Sequence, residues 1–269
     1  MSEGTAKSSA AGGKTPAFTR PGLNNIVPYV LVAGAPKFIE FLKVTFGGNE
    51  LLRVPRPDGT VMHAEVRIGD SLIELGDANE QYPARPTAIH VYVDDAHATY
   101  DRALKAGGTS VYAVTDEHPS GDRQGCVKDP FGNVWYIATI KGWTPGPEGV
   151  RSVQPYLHLR DAHKMIPFAE TAFGAEALGV AESDDGKILH ATIRVGTGTF
   201  EIDEESDESP AKPCYLHMYV PDVDSCYEAA LRAGGTGVDA PSLKPYGERG
   251  ATVKDPFGNT WFIATYLNA

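Results

Sequence analysis

Only three cysteines occur in 269 residues, too few for a disulfide framework. None lies in a CxxC pair. No lysine or arginine cluster occurs: 24 basic residues stand against 35 acidic ones, a formal net charge of −11. That balance argues against nucleic acid and anionic membrane as partners. No apolar run is long enough to span a bilayer. The opening stretch MSEGTAKSSAAGGKTPAFTRPG lacks the apolar segment of a signal peptide, so a cytoplasmic location is expected. Rich in Ser, Gly and Ala, residues 1–25 read as a disordered tail. There is no GxSxG, no Walker loop and no GxGxxG, so the commonest hydrolase, phosphate-binding and dinucleotide signatures are missing.

What is present is one domain written twice. Residues 27–139 and 154–266 match at an offset of 127 that becomes 126 near the end. Lys-Asp-Pro-Phe-Gly-Asn occurs at Lys128–Asn133 and again at Lys254–Asn259, each run followed by an aromatic strand, VWYIAT or TWFIAT. His90-Val91-Tyr92-Val93 matches His217-Met218-Tyr219-Val220, and His63-Ala64 matches His190-Ala191. The copies span 26–140 and 153–269, with a Gly- and Pro-rich linker at 141–152. The cysteines do not repeat: Cys126, Cys214 and Cys226 face Thr252, Thr87 and Thr99 of the other copy. They read as reduced, ordinary small residues.

Each copy divides again into two units of one order. In the first, 27–32 reads as a strand. Ala35 to Phe46 reads as a helix, with Phe38, Ile39, Leu42 and Phe46 at helical spacing and Gly47-Gly48 at its end. Strands near 50–55, 60–68 and 71–76 follow. The second unit has a strand at 88–93, a helix capped by Asp94 or Asp95, and strands near 109–114, 123–128 and 134–139. The pattern predicts four βαβββ units, an α+β chain whose helices cover one face of each sheet.

Four βαβββ units, helices ending AGG and hairpins reading KDPFGN before a WxIAT strand resemble the vicinal oxygen chelate superfamily. That group contains glyoxalase I, bleomycin- and fosfomycin-resistance proteins and extradiol dioxygenases. MHAEVRIGD and HVYVDD look closest to its PhnB-like branch. The resemblance implies the glyoxalase/bleomycin-resistance fold, with paired sheets forming two cups.

Strand alternation selects the residues lining those cups. Met62, Ala64, Val66 and Ile68 are assigned to the helix side, which turns His63, Glu65 and Arg67 to the cup. A hairpin at Gly69-Asp70 sets Glu74 opposite Glu65. Arg67, two residues along, is expected to neutralise one of the two carboxylates. His90, Tyr92 and Tyr136 complete the first set; His190, Glu201, Tyr215, His217, Tyr219 and Phe262 form the second. His97, His118, His158 and His163 have no histidine in the other copy and read as surface or packing residues.

Metal-bearing members carry four ligands per site. Carried over, those positions are Pro28, Glu74, Ala88 and Tyr136, repeated as Pro155, Glu201, Tyr215 and Phe262. Only the glutamates can ligate, so no metal cofactor is expected. The alternative is iron or zinc on a His63/Glu74/His90 set, or on His63 and Glu74 with His217 of the other copy. The leading expectation is a module that binds a small, partly aromatic or amphipathic molecule. The alternative is a metal-dependent lyase, isomerase or dioxygenase. The chain is expected to be a monomer, with a homodimer next.

Overall fold

The computed structural model describes residues 18–20, 23–118, 121–140 and 151–267. Most of the expected tail and linker therefore lies outside the described residues. The tail residues that are described do not behave as disordered chain: Thr19, Leu23 and Asn25 are buried.

Unit one runs β1 (Ile26–Val32), α1 (Ala35–Phe46), β2 (Asn49–Pro55), β3 (Val61–Ile68) and β4 (Ser71–Asp77). Unit two has β5 (Ala88–Tyr92), α2 (Ala96–Lys105), β6 (Thr109–Thr115), β7 (Arg123–Lys128) and β8 (Val134–Thr139). Unit three comprises β9 (Val153–Leu159), α3 (Met165–Phe173), β10 (Glu176–Glu182), β11 (Ile188–Val195) and β12 (Gly198–Glu204). Unit four is β13 (Tyr215–Tyr219), α4 (Val223–Arg232), β14 (Thr236–Lys244), β15 (Glu248–Lys254) and β16 (Thr260–Tyr266). No helix among the described residues is long and apolar enough to cross a membrane.

Local chemistry accounts for the boundaries. Asp95 and Asp222 accept from backbone N–H groups of the first turns of α2 and α4, each satisfying donors the helix leaves open. After α2, Gly107 takes φ +95°, and a Cβ on Gly108 would meet Val127 and the Ala103 carbonyl, which explains the AGG ending. The KDPFGN runs are built around their aspartates. Asp129 Oδ1 accepts from the N–H of Phe131 and Asn133 at 2.8 and 2.9 Å, while Oδ2 takes Asn133 Nδ2 and Trp135 Nε1 at 2.8 and 2.9 Å. Asp255 repeats all four contacts with Phe257, Asn259 and Trp261. Each aspartate thus locks a hairpin to the indole beneath it. Asp255→Ala is expected to cost about 3 kcal/mol, because several buried donors lose one acceptor together. Chemical denaturation checks this, and a loss below about 1 kcal/mol would assign the hairpin's stability to Pro256 and Gly258 instead.

The sheets cross the copies. One has the order β14-β15-β16-β13-β1-β4-β3-β2, joining unit four to unit one. The other reads β10-β11-β12-β9-β5-β8-β7-β6, joining unit three to unit two. The two central joints are antiparallel, β1 with β13 and β5 with β9. The main hydrophobic cores instead stay largely within a copy. One gathers α1 and α2 over the strands of units one and two, and the other gathers α3 and α4 over units three and four. Asn25 and Ser152, equivalent positions, bind the sheets together. Asn25 takes Thr197 N at 3.0 Å and donates to the Val195 carbonyl, while Ser152 N donates to Asp70 Oδ1 at 2.9 Å. Each cup, the helix-free face of one sheet, therefore draws residues from both copies.

Candidate functional site

The first cup is the concave face of the β1/β13 sheet. Glu65 and Glu74 are Cα partners as expected, and Glu74 is also opposite Tyr29 of β1. Glu74, 2% exposed, accepts from His217 Nδ1 at 2.8 Å. Burial opposes charge on both groups. Their mutual attraction and hydrogen bond outweigh it, lowering the Glu74 pKa and raising that of His217. His63 touches Tyr29 OH through Nδ1 and Glu65 through Nε2, both at 3.2 Å. Tyr219 donates to Glu248 at 2.7 Å. Phe262 packs against Tyr29, Tyr82 and Tyr215 with ring centroids 5.2, 5.4 and 6.1 Å away.

In the second cup, on the β5/β9 sheet, Glu201 stands where Glu74 stands in the first. It is 1% exposed and accepts from His90 Nδ1 at 2.8 Å and from Tyr92 OH at 3.3 Å. His190 Nε2 lies 3.7 Å away. Burial would raise the Glu201 pKa, but the histidines beside it hold the carboxyl down at about 2. The neighbouring Glu201 carboxylate raises the pKa of His190 against the opposing effect of burial. His90 is 6% exposed, and its Nε2 is buried with no hydrogen-bond partner. Tyr156 is central: its ring centroid is 4.9 Å from His158, 5.1 Å from Tyr136, 6.0 Å from His190 and 6.4 Å from His90. Behind it runs a chain from Asp203 to His158 Nδ1 at 2.6 Å, and from His158 Nε2 to Tyr136 OH at 3.1 Å.

The structure corrects several of these assignments. His63, Glu74 and His90 do not meet, since His63 and Glu74 line one sheet and His90 the other. The close pairs are cross-copy, Glu74 with His217 and Glu201 with His90. His158, expected as an ordinary surface or packing residue, lies in the second cup; His118 packs near Tyr112 with ring centroids 6.3 Å apart, in keeping with that reading. Met62 is exposed rather than packed on the helix. Arg67 is exposed and does not neutralise Glu65; Arg20 does. Alternation along β1 and β9 also turns Pro28 and Pro155 toward the helices and presents Tyr29, Tyr156 and His158 to the cups.

A cleft of about 820 Å³ opens outside the cups, among Arg160, Lys164, Phe168, Lys212 and Phe257, and it shares His158 with the second cup. Arg160 and Lys164 are spent on Glu205 and Asp161. The buried carboxylate–histidine pairs lie in the cups, which makes these the candidate site.

Comparison with known proteins fixes the family. A sequence profile of the Glyoxalase/Bleomycin resistance protein/Dioxygenase superfamily matches residues 22–137 and 156–263. The chain belongs to this superfamily. The glyoxalase-type fold agrees: glyoxalase I from Zea mays superposes with a TM-score of 0.69 at 19% identity, covering 89% of this chain and 92% of that one. An uncharacterized protein of Mycobacterium bovis is 39% identical over 121 residues, 41% of this chain and 79% of the relative. A Mycobacterium tuberculosis counterpart matches over the same length, covering 71% of its own chain.

The donor set of metal-bearing superfamily members does not fit these cups. Around Glu74 the corresponding positions hold Tyr29, Tyr215 and Phe262, and around Glu201 they hold Tyr156, Ala88 and Tyr136. Each glutamate is already the acceptor for a histidine. Among the described residues no group of three or more His, Cys, Asp or Glu side chains is arranged to hold a metal.

Proposed function

We propose that the protein binds a small, partly aromatic or amphipathic molecule in its cups, without the metal used by many superfamily members. The observation that carries this reading is His90. Its Nδ1 is engaged by Glu201, which leaves the buried Nε2 without a partner. An orphaned buried nitrogen costs about 1–3 kcal/mol, and a ligand's donor or acceptor would recover it. Tyr92, Tyr136 and Tyr156 ring the same histidine and offer flat apolar faces with polar tips. Burial raises the pKa of these three phenols, so they act as neutral hydrogen-bonding groups.

A thermal-shift screen of small phenols, indoles and aromatic acids tests the proposal. A binder should stabilise the protein by mass action, and His90→Leu should weaken it about tenfold or more, roughly 1.4 kcal/mol. Unchanged affinity in both His90→Leu and Tyr156→Ala would place the ligand elsewhere.

The same reading has no resident metal. After mild reconstitution with iron(II) or zinc, untagged protein is expected to retain far less than one metal per cup by elemental analysis. Stoichiometric metal that is lost in Glu201→Gln would favour a metal-dependent enzyme instead. The MHAEVRIGD and HVYVDD segments support the PhnB-like branch. The net charge of −11 supports a chain that takes neither nucleic acid nor anionic membrane as a partner. A monomer is the expected state, since one chain supplies all four units.

A further inference from the structure

The first cup contains a piece of its own chain. Phe18 packs with Leu23, Val27, Leu72, Tyr219 and Ala264, and its carbonyl accepts from Tyr266 N at 2.9 Å. Thr19 is 2% exposed, and its hydroxyl is buried without a partner. Arg20 follows and donates from Nη2 to Glu65 Oε1, the oxygen that His63 also approaches. The guanidinium thus reaches a face that carries three buried carboxylates: Glu65, Glu74 and Glu248. His217 engages Glu74 and Tyr219 engages Glu248, so Arg20 supplies the permanent cation for Glu65.

This arrangement belongs to the first cup alone. Thr192 stands opposite Glu201 as Glu65 stands opposite Glu74, so the second cup has no equivalent acid. A buried carboxylate without a cation is strongly unfavourable, and any group replacing Arg20 must bring a positive charge. Planar guanidinium and amidinium groups match a carboxylate fork and stack on aromatic walls. Tyr29, Tyr82 and Phe262 form such a wall beside His63.

We propose that the first cup is a receptor for the amidinium or guanidinium head of a small aromatic cation, and that Arg20 is a built-in occupant which such a ligand displaces. The inference rests on the reading of the cups as ligand sites, and adds a ligand class and an autoinhibitory contact for one of them. A tethered group competes at high effective concentration, so wild-type protein binds only through its unplugged fraction.

Benzamidine is the probe, and benzamide its neutral isostere. By calorimetry, Arg20→Ala should bind benzamidine at least about tenfold more tightly than wild type, while benzamide should not bind. Adding Glu65→Gln to Arg20→Ala should abolish binding. No benzamidine binding by Arg20→Ala, equal binding of benzamide, or binding that survives Glu65→Gln would each overturn the proposal. If Arg20→Ala does not fold, the wild-type chain serves. Benzamidine should then shift the Arg20 side-chain NMR resonance toward its free position, and a resonance that stays fixed at saturating probe rejects displacement. The cup and the probe differ from those of the His90 experiment, so failure here leaves the outcome there unaffected, and the reverse.

Discussion

Glu201→Ala is expected to destabilise the protein by about 3–5 kcal/mol, the largest single-residue effect in the cups. The carboxylate is 1% exposed and serves His90 and Tyr92 directly, with His190 at 3.7 Å. Removing it leaves the buried His90 imidazole N–H without an acceptor, at about 1–3 kcal/mol, and takes one acceptor away from the half-buried Tyr92 hydroxyl. It also removes the negative charge that stabilises His190 in its protonated form. The contrast is Glu205→Ala. Glu205 pairs with an exposed Arg160, and such a surface pair contributes about 0–1 kcal/mol. Urea denaturation of both variants measures the difference. Equal losses would mean that the second cup is hydrated enough for water to replace the carboxylate.

Much of this architecture was legible in the sequence because periodicity records it. The helix expected from Ala35 to Phe46 is α1 to the residue, and Asp95 is the cap of α2. The repeat separated His63, His90, His190 and His217 from the others, and all four line cups. The same filter concealed His158. Its counterpart in the first copy is Leu31, so matching the copies discarded it, although alternation along β9 sets it beside Tyr156. Pro28 was taken as the cup position of β1, one residue short of Tyr29, and a slip of one reverses every face of a strand. Met62 failed for a different reason. Hydrophobicity assigns a side to a residue only where another element covers that side, and Met62 is 49% exposed. The partner of each glutamate was only half legible. Within a copy, Glu74 and His90 are close in sequence, and the sequence offered both that grouping and the cross-copy one with His217; the structure has Glu74 with His217. Which unit completes a sheet depends on packing between copies, which the local pattern does not decide.

That cross-copy pairing gives the stability a predictable pH profile. The Glu201 carboxyl, ordinarily near 4.5, is held at about 2 in the fold. A lowered acid pKa contributes stability that is complete above 4.5 and is lost as pH falls through about 2. That lowering corresponds to roughly 3 kcal/mol for a group with almost no solvent exposure. Glu74 moves in the same direction. The histidines run the other way. His217 and His190 are raised above 6.5, so their contribution is complete below that pH and is lost as pH rises through their folded values. Stability should therefore plateau between about pH 4.5 and 6.5 and fall on both sides, with the alkaline limb visible below about pH 9, before unfolded-state phenols ionise. Urea midpoints across that range, at constant ionic strength, give the profile. Glu201→Gln should flatten the acid limb. Glu74→Gln should reduce the alkaline limb to the part His190 contributes, because the charge that raises His217 is then gone. An alkaline limb that persists unchanged in Glu74→Gln would show that the Glu74–His217 pair is not what titrates there.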